Sequence, residues 1–128
     1  MGVVKTCEVR GLKIFLDVDS EHPSEKIRNY EMWRVGHYDS KEPDTLDWID
    51  THFKPGDTVF DIGANIGQYS LYAAKRLNRK IRVLAFEPEA LNFAKLNRNI
   101  VLNGMVDTIV PYPIALSNRT TIDTFYTK

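Results

Sequence analysis

Thr58-Val59-Phe60-Asp61-Ile62-Gly63-Ala64-Asn65-Ile66-Gly67-Gln68-Tyr69-Ser70 opens as a short apolar run, breaks at two glycines and continues into helix-forming residues. That pattern fits a buried parallel strand, a tight turn and a helix N-terminus. Gly63 and Gly67 allow positive φ and leave the backbone bare to a ligand. The first amides of the following helix would face that ligand. Asp61 is the polar exception in the run. A turn built only for packing would also use two glycines, so the stretch alone leaves both readings open.

Moving outward, Pro43 to Phe53 carries Leu46, Ile49 and Phe53 at helical spacing, with a proline in the first turn. Pro55-Gly56-Asp57 ends that helix and feeds the strand. After Gly67 a helix runs to about Leu77, with Ile66, Ala73, Ala74 and Leu77 available for burial. Ile81 to Phe86 is a second apolar strand, ended by Glu87-Pro88. A second helix, Glu89 to Leu102, has Ala90, Phe93, Leu96 and Ile100 at helical spacing, and Asn103-Gly104 stops it. A third strand is expected over Thr108–Leu116, at a sheet edge because of Pro111 and Pro113. Ser117-Asn118-Arg119 reads as a turn, and Thr121–Tyr126 begins a β-rich segment. The middle of the chain is therefore β-α-β-α-β, an α/β fold forming half of a doubly wound parallel sheet.

Ahead of this unit, residues 6–18 alternate partly around Gly11 and predict a hairpin turning near Arg10-Gly11, laid on the core as an antiparallel cover. Residues 19–41 are polar with scattered aromatics, and Glu25 to Arg34 reads as a helix or an ordered loop. Tyr30 and Trp33 are expected to anchor it to the core, the usual role of such aromatics; lining a substrate cleft is the alternative. The expected organisation is a cover segment over 1–41 and the Rossmann-like part over 42–128.

The chain has 128 residues, 43% hydrophobic and 27% charged, with zero formal net charge. That suits one soluble domain and gives no basic footprint for nucleic acid. Cys7 is the single cysteine, which excludes an internal disulfide and sites built on cysteine pairs. No apolar run is long enough to span a membrane, and the N-terminus lacks the apolar core of a signal peptide. A cytoplasmic protein is expected. His22, His37 and His52 show no metal-ligand spacing. His37 is the best-placed histidine for a base, with a surface or packing role as the plainer reading. Glu42 is placed either to reach a cofactor amino group or to cap the helix that follows.

Glu87 ends the second strand about twenty residues after Gly67, where an acid can accept hydrogen bonds from both hydroxyls of an adenosine ribose. It would repel a 2′-phosphate. It can equally serve as a carboxylate at the N-terminus of the next helix. The dinucleotide fingerprint G-x-G-x-x-G is not met, because Asn65 and Gln68 stand at its second and third glycines. No phosphate-binding Gly-Lys-Ser or Gly-Lys-Thr occurs either. The turn suits a nucleoside with a compact charged tail, and S-adenosyl-L-methionine fits.

Asp61-Ile62-Gly63-Ala64-Asn65-Ile66-Gly67, Phe86-Glu87-Pro88 and Asn99-Ile100-Val101-Leu102-Asn103-Gly104 resemble, in order and spacing, FkbM-type methyltransferases. Lys54-Pro55-Gly56-Asp57 and Ala115-Leu116-Ser117-Asn118 resemble that family as well. The resemblance covers about residues 30–126. It implies a Rossmann-like class I methyltransferase fold using S-adenosyl-L-methionine, often for O-methylation of sugars or small natural-product scaffolds. It places Asp61, Gly63, Ala64, Asn65 and Gly67 at the cofactor's methionine portion. It puts Glu87, followed by Pro88, at the ribose, and Ala115 and Leu116 of the Ala115–Ser117 turn beside adenine.

Family members continue into a further strand ending in an Asp-x-Glu-Gly-like segment, which this sequence does not contain. The chain thus reads as the N-terminal part of the domain, truncated after the third central strand. A small-molecule or glycan acceptor is expected, with self-association through an exposed sheet edge as a further property. The alternatives are a non-catalytic nucleoside-binding or interaction module and, less compatible with Asn65 and Gln68, half of an NAD-binding dehydrogenase.

Overall fold

A computed structural model describes residues 3–18 and 23–117. The expected Thr121–Tyr126 segment lies outside the described residues. The chain begins with a hairpin of β1 (Val3–Val9) and β2 (Leu12–Val18), paired antiparallel with Val9 opposite Leu12. The two-residue loop is Arg10-Gly11, with φ of 48° and 84°. Two successive positive φ values give the turn a twist that matches the strands.

Next come α1 (Glu25–Gly36), capped by the Ser24 side chain, and α2 (Pro43–His52), with proline in its first turn. The unit read as β-α-β-α-β follows: β3 (Thr58–Ile62), α3 (Gln68–Arg76), β4 (Arg82–Phe86), α4 (Ala90–Leu102) and β5 (Ile109–Tyr112). The three strands form a parallel sheet in the order β3-β4-β5. Strands added in one direction by right-handed crossovers place α3 and α4 on one face. Accordingly Leu71, Ala74, Leu96 and Ile100 share a core with Val83, Ala85 and Ile109. The hairpin packs on the other side of these helices through β2, which adds Ile14 and Leu16 to the same core.

This layering explains α3. It lies between the sheet and the hairpin, with α2 against it, and five successive residues, Ser70 to Ala74, are buried. The Tyr72 ring is fully buried, and its hydroxyl donates to Asp50 Oδ1 at 2.6 Å. Asp50 also pairs with Arg10 of the hairpin turn at 3.0 Å and with Arg76 of α3 at 3.1 Å. One carboxylate thus ties hairpin, α2 and α3 together.

Two expectations change. Tyr30 and Trp33 do not anchor α1 in the core: they are 47% and 44% exposed. They pack on their own helix instead. Tyr30 stacks toward Trp33, Trp33 on His37, and Arg34 lies 4.6 Å over the Tyr30 ring. The aromatic that does go in is Tyr38, whose hydroxyl donates to the carbonyl of Gln68. The third strand ends at Tyr112, short of the expected Leu116. Pro111 is accommodated because β5 pairs only with β4 among the described residues.

Burial raises the Asp50 carboxyl, but hydrogen bonds from Tyr72 and Arg10 and the charge of Arg76 outweigh it and hold the group below its ordinary range. A carboxyl depressed in the folded state stabilises above its unfolded pKa of about 3.9, and that contribution fades as pH falls through the folded value. Asp50→Asn should therefore cost about 1 kcal/mol at pH 7, read by urea denaturation. The gap between variant and wild type should narrow as pH falls from 5 toward 3.

Candidate cofactor site

The parallel sheet sets the place of the site. Ligands of such sheets bind beyond the C-terminal ends of the strands. Here β3 runs into the turn Gly63–Gly67, and β4 runs into Glu87-Pro88-Glu89. The carbonyl of Phe86, at the end of β4, accepts the amides of both Gly63 and Ala64 at 2.9 Å. The turn needs three positive φ values: 74° at Gly63, 54° at Asn65 and 95° at Gly67. Asparagine is one of the few side-chain-bearing residues that tolerate this region. Its amide nitrogen folds back onto the Gly63 carbonyl at 3.1 Å.

Glu87 is the centre of the arrangement. It is only 4% exposed. One carboxylate oxygen accepts the Asn65 amide at 2.8 Å, and the other accepts the Glu89 amide at 2.9 Å. A buried carboxylate must be paired, and backbone N–H groups are suitable partners. Glu89 in turn caps α4, accepting the amides of Leu91 and Asn92. The helix-terminus role weighed for Glu87 is thus shared: Glu87 fixes the approach to α4 and Glu89 caps it. Each Glu87 oxygen has a second lone pair beyond its amide bond.

Asp61 faces inward from β3 and accepts the Ser70 hydroxyl at 2.6 Å. Burial pushes its carboxyl above the usual range; hydrogen bonds from Ser70 oppose the rise, and the negative charge of Glu87 adds to it. A positive charge brought to this end of the sheet would be stabilised by both acids. Gly63 offers a bare surface, since a Cβ built there meets no atom within 4 Å. Gly67 is tight: a Cβ there would lie 2.7 Å from Leu96 Cδ1. The two glycines therefore differ. Gly63 leaves room outside the turn, and Gly67 lets its back rest on α4.

Asp61, Gly63, Ala64, Asn65, Gly67 and Glu87 come together, with Pro88 next to them. Ala115 and Leu116 are exposed in coil after β5 and take no part in the turn's hydrogen bonds. Their strand is tied to the site one step back, through the Glu87 amide and the Tyr112 carbonyl at 3.0 Å. Glu42 stands before α2 without capping it by its side chain. Its carboxylate accepts the Tyr69 hydroxyl at 2.5 Å. His37 Nδ1 lies 2.8 Å from the Trp33 carbonyl, which holds the ring against its own helix end.

Ser70 and Asn99 are site neighbours to which the sequence reading gave no role. A serine two positions into a helix has no special signal. Asn99 and Asn103 carry only a faint one, two amides four apart in line with Leu96 and Ile100, and it does not name their partners. No group of His, Cys, Asp and Glu able to hold a metal occurs among the described residues, and no helix there is long and apolar enough to cross a membrane. A cavity of about 110 Å³ takes Val59, Phe60 and Asp61 in its wall with Trp48 and Phe53, and it shares Asp61 and Ser70 with the site. Three consecutive strand residues can line one cavity only along the strand's edge, so this space lies beside β3 and not over the turn.

Gly63→Ala should cost about 1 kcal/mol, the strain of a side chain at positive φ. Gly67→Ala should cost more, about 2–3 kcal/mol, because Leu96 must also move. Thermal denaturation of the two variants checks the order.

The chain matches the family described as Methyltransferase FkbM domain over residues 61–128, more than half of its length. The 31-O-demethyl-FK506 methyltransferase FkbM of Streptomyces tacrolimicus is 48% identical over 57 residues, covering 42% of this chain and 22% of the relative. Methyltransferase sdnD of Sordaria araneosa is 38% identical over 60 residues, covering 47% and 23%. The matched stretch spans about a fifth of each of these curated relatives. Among solved structures, TYW2 of Pyrococcus horikoshii in complex with MeSAdo superposes with a TM-score of 0.56 at 25% identity, over 90% of this chain and 37% of that one. With the parallel sheet, the glycine turn and Glu87 in place, the fold is that of a class I methyltransferase, and the chain belongs to the FkbM methyltransferase domain family.

Proposed function

We propose that the Asp61–Gly67 turn and Glu87 hold S-adenosyl-L-methionine, and that the protein acts as an O-methyltransferase on a hydroxyl of a sugar or other small natural product. The observation that carries this reading is the buried Glu87 carboxylate, bonded to the turn after β3 and to the approach to α4. The residues fit the cofactor on two counts. Gly63 leaves open space where a side chain would stand. Asp61 and Glu87 supply negative charge beside it, matching an ammonium-bearing tail and a ribose diol. When bound, the cofactor supplies a methyl group on sulfonium for transfer to an oxygen nucleophile.

The protein's own contribution is positional. Glu87 would accept ribose hydroxyls through the lone pairs its amide bonds leave. Asp61, already oriented by Ser70, would face the amino-acid end. Asn65 occupies the place where a dinucleotide fingerprint keeps bare backbone, which favours a mononucleoside. Holding the donor in one orientation is the term that an enzyme of this kind relies on most. The O-methylation reading is also supported by the name of the Streptomyces tacrolimicus relative.

A second reading, an interaction module, has one observation in its favour. β3 is an open edge of the described sheet, and its Phe60 and Ile62 are 57% and 64% exposed. Such an edge is a template for self-association.

Titration calorimetry with S-adenosylhomocysteine, run beside sedimentation analysis, separates the two. The proposal expects saturable binding, weakened at least tenfold in Glu87→Gln, with NAD failing to compete. Association without nucleoside binding would favour the module, and selective NAD binding would point to a dehydrogenase half.

A further inference from the structure

The motif Asn99-Ile100-Val101-Leu102-Asn103-Gly104 takes no part in the function described so far. Yet Asn99 is fully buried and Asn103 is 6% exposed, in the last turn of α4 and at its C-cap. Four residues apart on a helix, they lie on one face. That face meets the outer edge of β2, whose other edge is paired with β1.

Asn103 treats Phe15 as a neighbouring strand would. Its Oδ1 accepts the Phe15 amide at 2.8 Å, and its Nδ2 donates to the Phe15 carbonyl at 2.7 Å. Asn99 repeats half of this pattern two residues on. Its Oδ1 accepts the Asp17 amide at 2.7 Å. Its Nδ2 turns the other way and donates to the carbonyl of Ile66 at 2.9 Å. Ile66 lies inside the Gly63–Gly67 turn, and the next residue, Gly67, rests against Leu96 of the same helix.

We infer that Asn99 is a positioning residue for the cofactor turn: its side-chain amide links the N-terminal hairpin, at Asp17, to the turn, at the Ile66 carbonyl. This deepens the methyltransferase reading and rests on it. Only asparagine suits the position. The site needs one acceptor and one donor, both within a short side chain's reach. Aspartate keeps the bond to Asp17 but turns an oxygen toward the Ile66 carbonyl, and two acceptors repel. An apolar residue would leave two backbone groups buried without partners, which is costly. Asn103 makes the same kind of bonds to β2 and none to the turn, so it is the internal control.

The test compares Asn99→Asp and Asn103→Asp in the 128-residue chain, with S-adenosylhomocysteine as the titrant and circular dichroism to follow folding. Both variants should lose thermal stability. Asn99→Asp should also weaken binding about tenfold or more, the effect of replacing one buried hydrogen bond by a repulsive contact. Asn103→Asp should stay within about twofold of wild type once temperature is set well below both melting points. Equal losses in the two variants, or unchanged binding in Asn99→Asp, would overturn the positioning role. If Asn99→Asp does not fold, Asn99→Ser is read in its place by the same comparison; collapse of both would make Asn99 purely structural and reject the inference. Failure of the parent reading looks different, since wild type itself would then show no saturable binding.

Discussion

A charged side chain at 4% exposure can persist only if its charge is met, and at Glu87 it is met by two backbone amides from two different loops. The rest of the site depends on that bond pair. The loop after β3 and the loop after β4 are held at a fixed distance by one carboxylate. The Phe86 carbonyl, one residue earlier, fixes the same loops from the backbone side. The junction between the two loops is thus built from polar atoms already in place before any ligand arrives. Preorganised atoms of this kind need not be reordered on binding, which is where affinity is otherwise lost.

Behind this polar front lies a layered core with unusual demands. α3 is covered on nearly every side, so it uses small residues, Ala73 and Ala74, where the layers are closest, and one large ring, Tyr72, whose hydroxyl escapes to Asp50. α4 carries part of its polarity inward, as two asparagines that stand in for a strand along β2. Buried amides are tolerated only when both ends are paired, and here they are. Satisfied in this way they fix the hairpin's register against the helix, which apolar contacts alone would leave free to slide.

How much of this can be read from the residues depends on whether the signal is local. The β3–turn–α3 stretch and the hairpin are legible because glycine placement and alternation are short-range cues, and both Gly63 and Gly67 do take positive φ. Tyr30 and Trp33 mislead because aromatics three apart look like a buried helical stripe, whereas they are satisfied by stacking with His37 and Arg34 on the same helix. The third strand is overestimated because apolar residues, Ile114, Ala115 and Leu116, continue past Tyr112, while pairing with β4 does not. Asn99 is quoted in a motif and still opaque, since its partners lie 82 and 33 residues away and nothing in its own neighbourhood points to them. Glu87 falls between these cases. Its place at a strand end is legible, but its two amide partners are a property of the folded loops.

The central claim is that a nucleoside cofactor binds where Glu87 joins the two loops. Amide NMR of the chain titrated with S-adenosylhomocysteine tests it most directly. The account predicts that the largest shift changes fall on Gly63, Asn65, Gly67 and Glu87, with smaller ones spreading to Asn99 and Asp17. Shifts confined to Trp48, Phe53 and Phe60 around the cavity at the β3 edge, with the Gly63–Gly67 amides unmoved, would contradict it.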